Sequence, residues 1–183
     1  MAATSDQGEG ADSGTPSAEA LAARLGDRLA GAGLSCVTAE SCTGGGIAWT
    51  CTAVPGASAW FHGAFVTYAV GAKVAMLGVP AALVDTHGAV SEPVARAMVE
   101  GALAASGVDL ALAVTGAAGP GGGDVLVPVG TVWFAWMRRG DAARTAVHRI
   151  PGDRGAVRTT AVRIALAGAL ALLEADGVGR GPS

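Results

Sequence analysis

Two short apolar stretches, each running straight into a glycine-rich segment, most strongly limit what this chain can fold into. Residues 34–39 lead into E-S-C-T-G-G-G, and residues 109–115 (DLALAVT) lead into 116–123 (GAAGPGGG). A brief unbroken apolar run bounded by turn residues is the pattern of a buried strand. Both glycine segments therefore fall at the carboxyl ends of strands, where open α/β sheets bind ligands.

The rest of the chain alternates around these two stretches. Leu21, Leu25 and Leu29 recur every four residues, which predicts a helix over 17–32 ended by Gly31 and Gly33. A small-residue helix is expected over 44–53, a β-rich segment over 60–68, and a short helical piece over 73–77 stopped by Gly78 and Pro80. Ser91 is expected to cap a helix over 93–106. Strands follow at 130–137 and, as an edge, at 144–150, before a final helix over 157–174. Trp133 and Trp136, three apart on one strand, face opposite sides, one toward the core and the other toward a subunit contact. The alternation predicts one layered α/β domain over 17–176, its helices covering a mostly parallel or mixed sheet. Residues 1–16 and 177–183 are expected to be a disordered leader and tail.

Hydrophobic residues make up 51% of the 183 residues and aromatics only 4%, so the core must be Ala, Val, Leu and Ile. A net charge of −3 without a basic stripe argues against a nucleic-acid partner. The three cysteines, Cys36, Cys42 and Cys51, fit no zinc spacing, and His62, His87 and His148 do not pair as ligands. Neither a metal nor another cofactor is expected. An odd, clustered cysteine set suits a reducing cytosol. The apolar stretch 161–173 is interrupted by Arg163 and reads as a packed helix, so no membrane partner is expected.

Three places can carry chemistry. The turn Ala39–Gly46 (AESCTGGG) puts Ser41 at the mouth of the sheet, followed by backbone N–H groups able to hold an oxyanion. A plain Ser cap and flexible turn is the competing reading. Tyr68 and Lys73 are the chain's single tyrosine and single lysine, all eleven other basic residues being Arg. Arginine cannot give up its proton, whereas a partly buried lysine becomes a neutral base. A surface lysine and a half-buried strand tyrosine are the bland alternative. The loop opening with Thr115, Gly116 and Gly119 lies where ligands bind. Together these groups suggest acyl transfer: Ser41 attacks a carbonyl, and Lys73 takes its proton directly or through the Tyr68 hydroxyl.

Taken in order, T-A-E-S-C-T-G-G (38–45), V-P-G-A-S-x-x-F-x-G (54–63), the Tyr68/Lys73 pair with L-G-V (77–79), G-A-V-S (88–91), T-G-x-A-G-P-x-G (115–122), P-V-G-T-V (128–132) and G-D-R-x-x-V-R (152–158) resemble the CinA C-terminal domain family. The resemblance covers roughly residues 18–175. It implies a three-layer α/β/α sandwich with a mixed, mostly parallel sheet, and deamidation of nicotinamide mononucleotide to nicotinic acid mononucleotide and ammonia. By matching position it makes Ser41 the nucleophile and Tyr68 and Lys73 its activating pair. It places Glu40, Thr43, Gly44, Gly45, Thr115, Gly116 and Gly119 around the substrate, with Arg154 or Arg158 facing the substrate or steadying the site. It further implies a cytoplasmic homo-oligomer, most simply a dimer, and a small nucleotide as partner. Val70 and Val127 stand where the family often has polar residues, which bears on substrate choice. A non-catalytic nucleotide- or partner-binding module, or an amidase with another substrate, is the alternative. Glu40 is expected to orient Lys73 or a ribose hydroxyl, or to form a structural ion pair, and Cys42 to be a buried thiol rather than the nucleophile.

Overall fold

The computed structural model describes residues 14–123 and 125–178. The expectations for residues 1–13 and 179–183 therefore lie outside the described residues. Twelve elements follow in order: α1 (Ala18–Gly31), β1 (Cys36–Glu40), α2 (Gly46–Thr52), a 3₁₀ turn (Ala57–Ala59), β2 (Phe61–Val66), α3 (Val70–Leu77), α4 (Ala81–His87), α5 (Glu92–Ser106), β3 (Leu110–Gly116), β4 (Thr131–Arg138), β5 (Arg144–Arg149) and α6 (Arg154–Ala175).

The five strands form one open sheet in the order β2-β1-β3-β4-β5. β2, β1 and β3 pair in parallel, and β4 and β5 are added antiparallel. The sheet is thus mixed. Its two central strands, β1 and β3, are buried along almost their whole length. Strand alternation splits the apolar side chains between two cores. Cys36, Leu110, Leu112, Val114 and Phe134 pack against α1, α2 and α6. Val37, Ala39, Ala111, Ala113 and Ala135 pack against α5 and the α3–α4 segment. The result is three layers. Trp136 lies in the first core and donates its indole N–H to the Ala165 carbonyl at 2.8 Å, while Trp133 packs against the second.

α6 has 22 residues and a mean hydropathy of 1.6, long and apolar enough to cross a membrane by those measures alone. In the fold it is a core helix, with Val157, Ala161, Ala165, Leu166, Ala169 and Leu173 fully buried. At its end Val178 N–H returns to the Leu173 carbonyl, and Arg28 donates to the Val178 carbonyl.

Three local expectations change. Pro80 does not merely stop α3; it is the N-cap of an additional helix, α4, because proline's fixed φ suits a helix start. Ser91 stands at the N-cap of α5, but its hydroxyl donates backward to the Gly88 carbonyl rather than accepting a helix N–H. β2 ends at Val66, so Tyr68 sits in the loop before α3 and not in the strand.

Candidate active site

Ser41 is the first residue past β1, at the carboxyl end of the sheet. Its N–H donates to the Val114 carbonyl, and Thr67 N–H donates to the Glu40 carbonyl, so both parallel neighbours still grip the chain where it turns. Gly44 and Gly45 follow at φ +61° and +92°, left-handed values that let the chain reverse into α2 within a few residues. Among the described residues, no carbonyl or side-chain oxygen accepts from the N–H groups of Cys42, Thr43 or Gly45.

α3 starts just after β2 and carries Lys73 in its first turn. The side chain runs back under the turn and is 1% exposed. Its Nζ lies 2.9 Å from Ser41 Oγ, and it donates to the Thr67 carbonyl at 2.8 Å and the Tyr68 carbonyl at 3.3 Å. No carboxylate forms an ion pair with it among the described residues. Burial lowers the ammonium's pKa from its usual 10.5, against a smaller opposing effect from Cys42. The nitrogen meets two carbonyls and the Ser41 hydroxyl, so on losing a proton it can keep two N–H bonds to the carbonyls and turn a lone pair toward Ser41 Oγ. This is the arrangement a serine needs to lose its proton.

Ser41, Tyr68, Lys73, Thr115, Gly116 and Arg154 line one cavity of about 230 Å³, joined by Cys42, Ala89, Val90, Ala117, Ala118, Gly121 and Gly122. Thr115 donates its hydroxyl to the Ala89 carbonyl at 2.7 Å, tying β3 to the segment before α5. Gly116 has no room for a side chain: a Cβ there would stand 2.8 Å from Val132 and 3.1 Å from Cys42 Sγ. The Cys42 thiol is pushed up to about 11 by burial, so it stays protonated and is a poor nucleophile.

Other expected residues differ in contact or in place. The Tyr68 ring is 61% exposed and its hydroxyl accepts from Arg154 Nη2 at 3.0 Å, while only its carbonyl reaches Lys73. Arg154 also donates to the Gly119 carbonyl at 2.9 Å. Gly119 thus supports the cavity through Arg154 rather than lining it. Thr43 and Arg158 line a different hollow, of about 310 Å³, behind the turn. Glu40 is a correction. It is fully buried, and its carboxylate accepts from the N–H groups of Ile47 (3.0 Å) and Ala48 (2.8 Å) and from Thr38 Oγ1 (3.1 Å). Two of these bonds cap α2, and no bond to Lys73 is among them.

The chain also matches a known family. The family model described as the CinA C-terminal domain matches residues 18–173. The chain belongs to the CinA C-terminal domain family. Within that family, a Pseudomonas putida protein named nicotinamide-nucleotide amidohydrolase PncC is 53% identical over 83% of this chain and 94% of its own length. A CinA-like protein of Akkermansia muciniphila is 55% identical over 78% of this chain. The match spans only 34% of that longer relative, about a third. The crystal structure of competence/damage inducible protein CihA from Agrobacterium tumefaciens superposes with a TM-score of 0.84 at 42% identity, covering 88% of this chain and 99% of that one. The CinA-type motifs account for Ser41, Lys73 and Arg154. Ala89 and Val90 fall in the G-A-V-S motif, but nothing in their residue types marks them as cavity walls. The Thr67 carbonyl is a main-chain group with no side-chain signature at all.

Proposed function

We propose that this chain is a nicotinamide-nucleotide amidohydrolase, converting nicotinamide mononucleotide and water to nicotinic acid mononucleotide and ammonia in pyridine-nucleotide recycling. The observation that carries this reading is the 2.9 Å approach of Lys73 Nζ to Ser41 Oγ inside the cavity, in a chain 53% identical to a relative named for that activity. Neutral Lys73 takes the Ser41 proton as Oγ bonds to the carboxamide carbon. The N–H groups of Cys42, Thr43 and Gly45, which donate to no oxygen among the described residues, receive the developing oxyanion. The C–N bond then breaks, Lys73 returns its proton to the departing nitrogen, and ammonia leaves an acyl ester on Ser41. Water attacks that ester, Lys73 again carries the proton, and Ser41 Oγ leaves reprotonated with the carboxylic acid released.

A cavity of about 230 Å³ is smaller than the roughly 300–1,000 Å³ of pockets that enclose whole ligands. It suits the carboxamide-bearing ring, with ribose and phosphate passing out beside Tyr68 and Arg154. The nicotinamide ring of the nucleotide is a pyridinium, and the exposed Tyr68 face offers it a cation–π contact. Arg154, at the rim, is the guanidinium that meets the phosphate. We further propose a cytoplasmic homodimer. The three free cysteines suit a reducing compartment, and the 79% exposed Trp49 on α2 offers an apolar contact.

The test is metal-free incubation with nicotinamide mononucleotide, reading ammonia and the acid product. Wild type is expected to turn over, Ser41→Ala and Lys73→Ala to lose at least about 10³-fold in kcat, and Tyr68→Phe to keep most activity because its hydroxyl serves Arg154. Turnover by either of the first two variants would exclude the mechanism. A dead Tyr68→Phe with intact fold would restore the hydroxyl as a proton carrier.

A further inference from the structure

Arg158 stands outside the Ser41 cavity, yet it holds the Ser41 turn from behind. Its Nη2 donates to the Thr43 carbonyl at 2.9 Å. The same nitrogen lies 3.4 Å from where a Cβ on Gly44 would stand, so the guanidinium packs against the turn itself. The peptide between Thr43 and Gly44 is therefore held at both ends. Arg158 and the Gly46 N–H engage its carbonyl, and its own N–H donates to the Ser41 carbonyl at 3.0 Å. Gly46 N–H, at 3.2 Å, is the longer of the two contacts on that carbonyl. Thr43 is 1% exposed, so in the intact molecule the guanidinium rather than solvent meets its carbonyl.

We propose that Arg158 is a positioning residue for the amide hydrolysis: by fixing the Thr43–Gly44 peptide it keeps the N–H groups of Cys42 and Thr43 aimed at the oxyanion. This rests on the amidase reading of the Ser41 site. The role differs from that of Arg154, one helical turn earlier, whose guanidinium lies in the cavity wall. Arg158 does not line that cavity; it lines the hollow behind it with Gly46, Thr50, Gly155 and Thr159. It therefore acts on the transition state through the turn and not on substrate binding. A rigid fork suits this task, since it can sit flat against Gly44 while one nitrogen meets the carbonyl.

The experiment compares wild type, Arg158→Ala and Arg158→Lys with nicotinamide mononucleotide, following kcat, KM and melting temperature. We expect kcat of Arg158→Ala to fall about 10- to 100-fold with KM within about two-fold, and Arg158→Lys to recover part of the loss. The hollow, about 310 Å³ and edged by exposed Glu19, gives added guanidinium a route to the vacated place. Millimolar guanidinium is therefore expected to raise kcat of Arg158→Ala but not of Ser41→Ala. A raised KM with unchanged kcat, or no change in either, would overturn the proposal. If wild type releases no ammonia, the amidase reading fails separately, and hydrogen exchange decides the positioning role. Faster exchange at the Gly44 and Gly46 amides in Arg158→Ala, with β1 and β3 unchanged, supports it, and unchanged exchange overturns it. If Arg158→Ala does not fold, Arg158→Lys carries the same readings.

Discussion

Lys73 shows how a single side chain can be made reactive by what surrounds it. It is sunk in the second core with main-chain carbonyls and one hydroxyl about its nitrogen, and burial lowers its pKa from 10.5. The sign of the pH effects follows. On the proposed mechanism the neutral base is the working form, so kcat/KM is expected to rise with pH along an acid limb whose midpoint lies below 10.5. Between the lowered folded value and 10.5 the unfolded chain binds more protons than the folded one, so stability also rises with pH across that window. Lys73→Met is expected to abolish turnover and flatten this part of the stability curve, as read by urea denaturation at several pH values. An acid limb at or above 10.5 would mean the amine is not shifted in the working enzyme. At this scale the sequence was informative where chemistry needs a rare residue type. A lone lysine among arginines stood out, and it lies 2.9 Å from Ser41 Oγ. It was silent where the contact is a backbone carbonyl, as at Thr67.

Helix α2 is only seven residues long, and its footing comes from outside its own sequence. Gly45, at its N-cap, has no side chain to accept the first amides, so Glu40 reaches over from the end of β1 to accept two of them. The substitution Glu40→Ala is expected to strand both N–H groups and cost about 2–6 kcal/mol, at roughly 1–3 kcal/mol for each buried unpaired group. A thermal melt measures this directly, and a change under about 0.5 kcal/mol would mean that water reaches these amides. Glu40 stood beside the nucleophile in the sequence, and proximity suggested a catalytic or ligand contact. What separates a cap from a ligand group is the direction of the carboxylate, which spacing alone does not carry. The same limit explains α4. Seven residues after a proline show too little periodicity to be told from a loop, although the neighbouring helix α5 was legible from its apolar spacing.

The three layers are held close by small residues. Gly168 of α6 lies against the face of Trp136, where any Cβ would collide with the indole ring. Gly168→Ala is expected to force that ring from its place between sheet and helix and cost about 1–3 kcal/mol, read as a lower urea midpoint with an unchanged slope. The layered α/β architecture was legible because buried strands and spaced leucines leave strong patterns. The antiparallel addition of β4 and β5 was not, since strand direction depends on the path of the connection rather than on the residues in the strand. The site draws its parts from both ends of the folded chain. Ser41 and Lys73 come from the first half, but the arginines that clasp the Gly119 and Thr43 carbonyls belong to α6, the last element. During synthesis Ser41 and Lys73 thus emerge from the ribosome well before these arginines, and a chain stalled ahead of α6 holds the pair without the helix that clasps the turn and loop beside it.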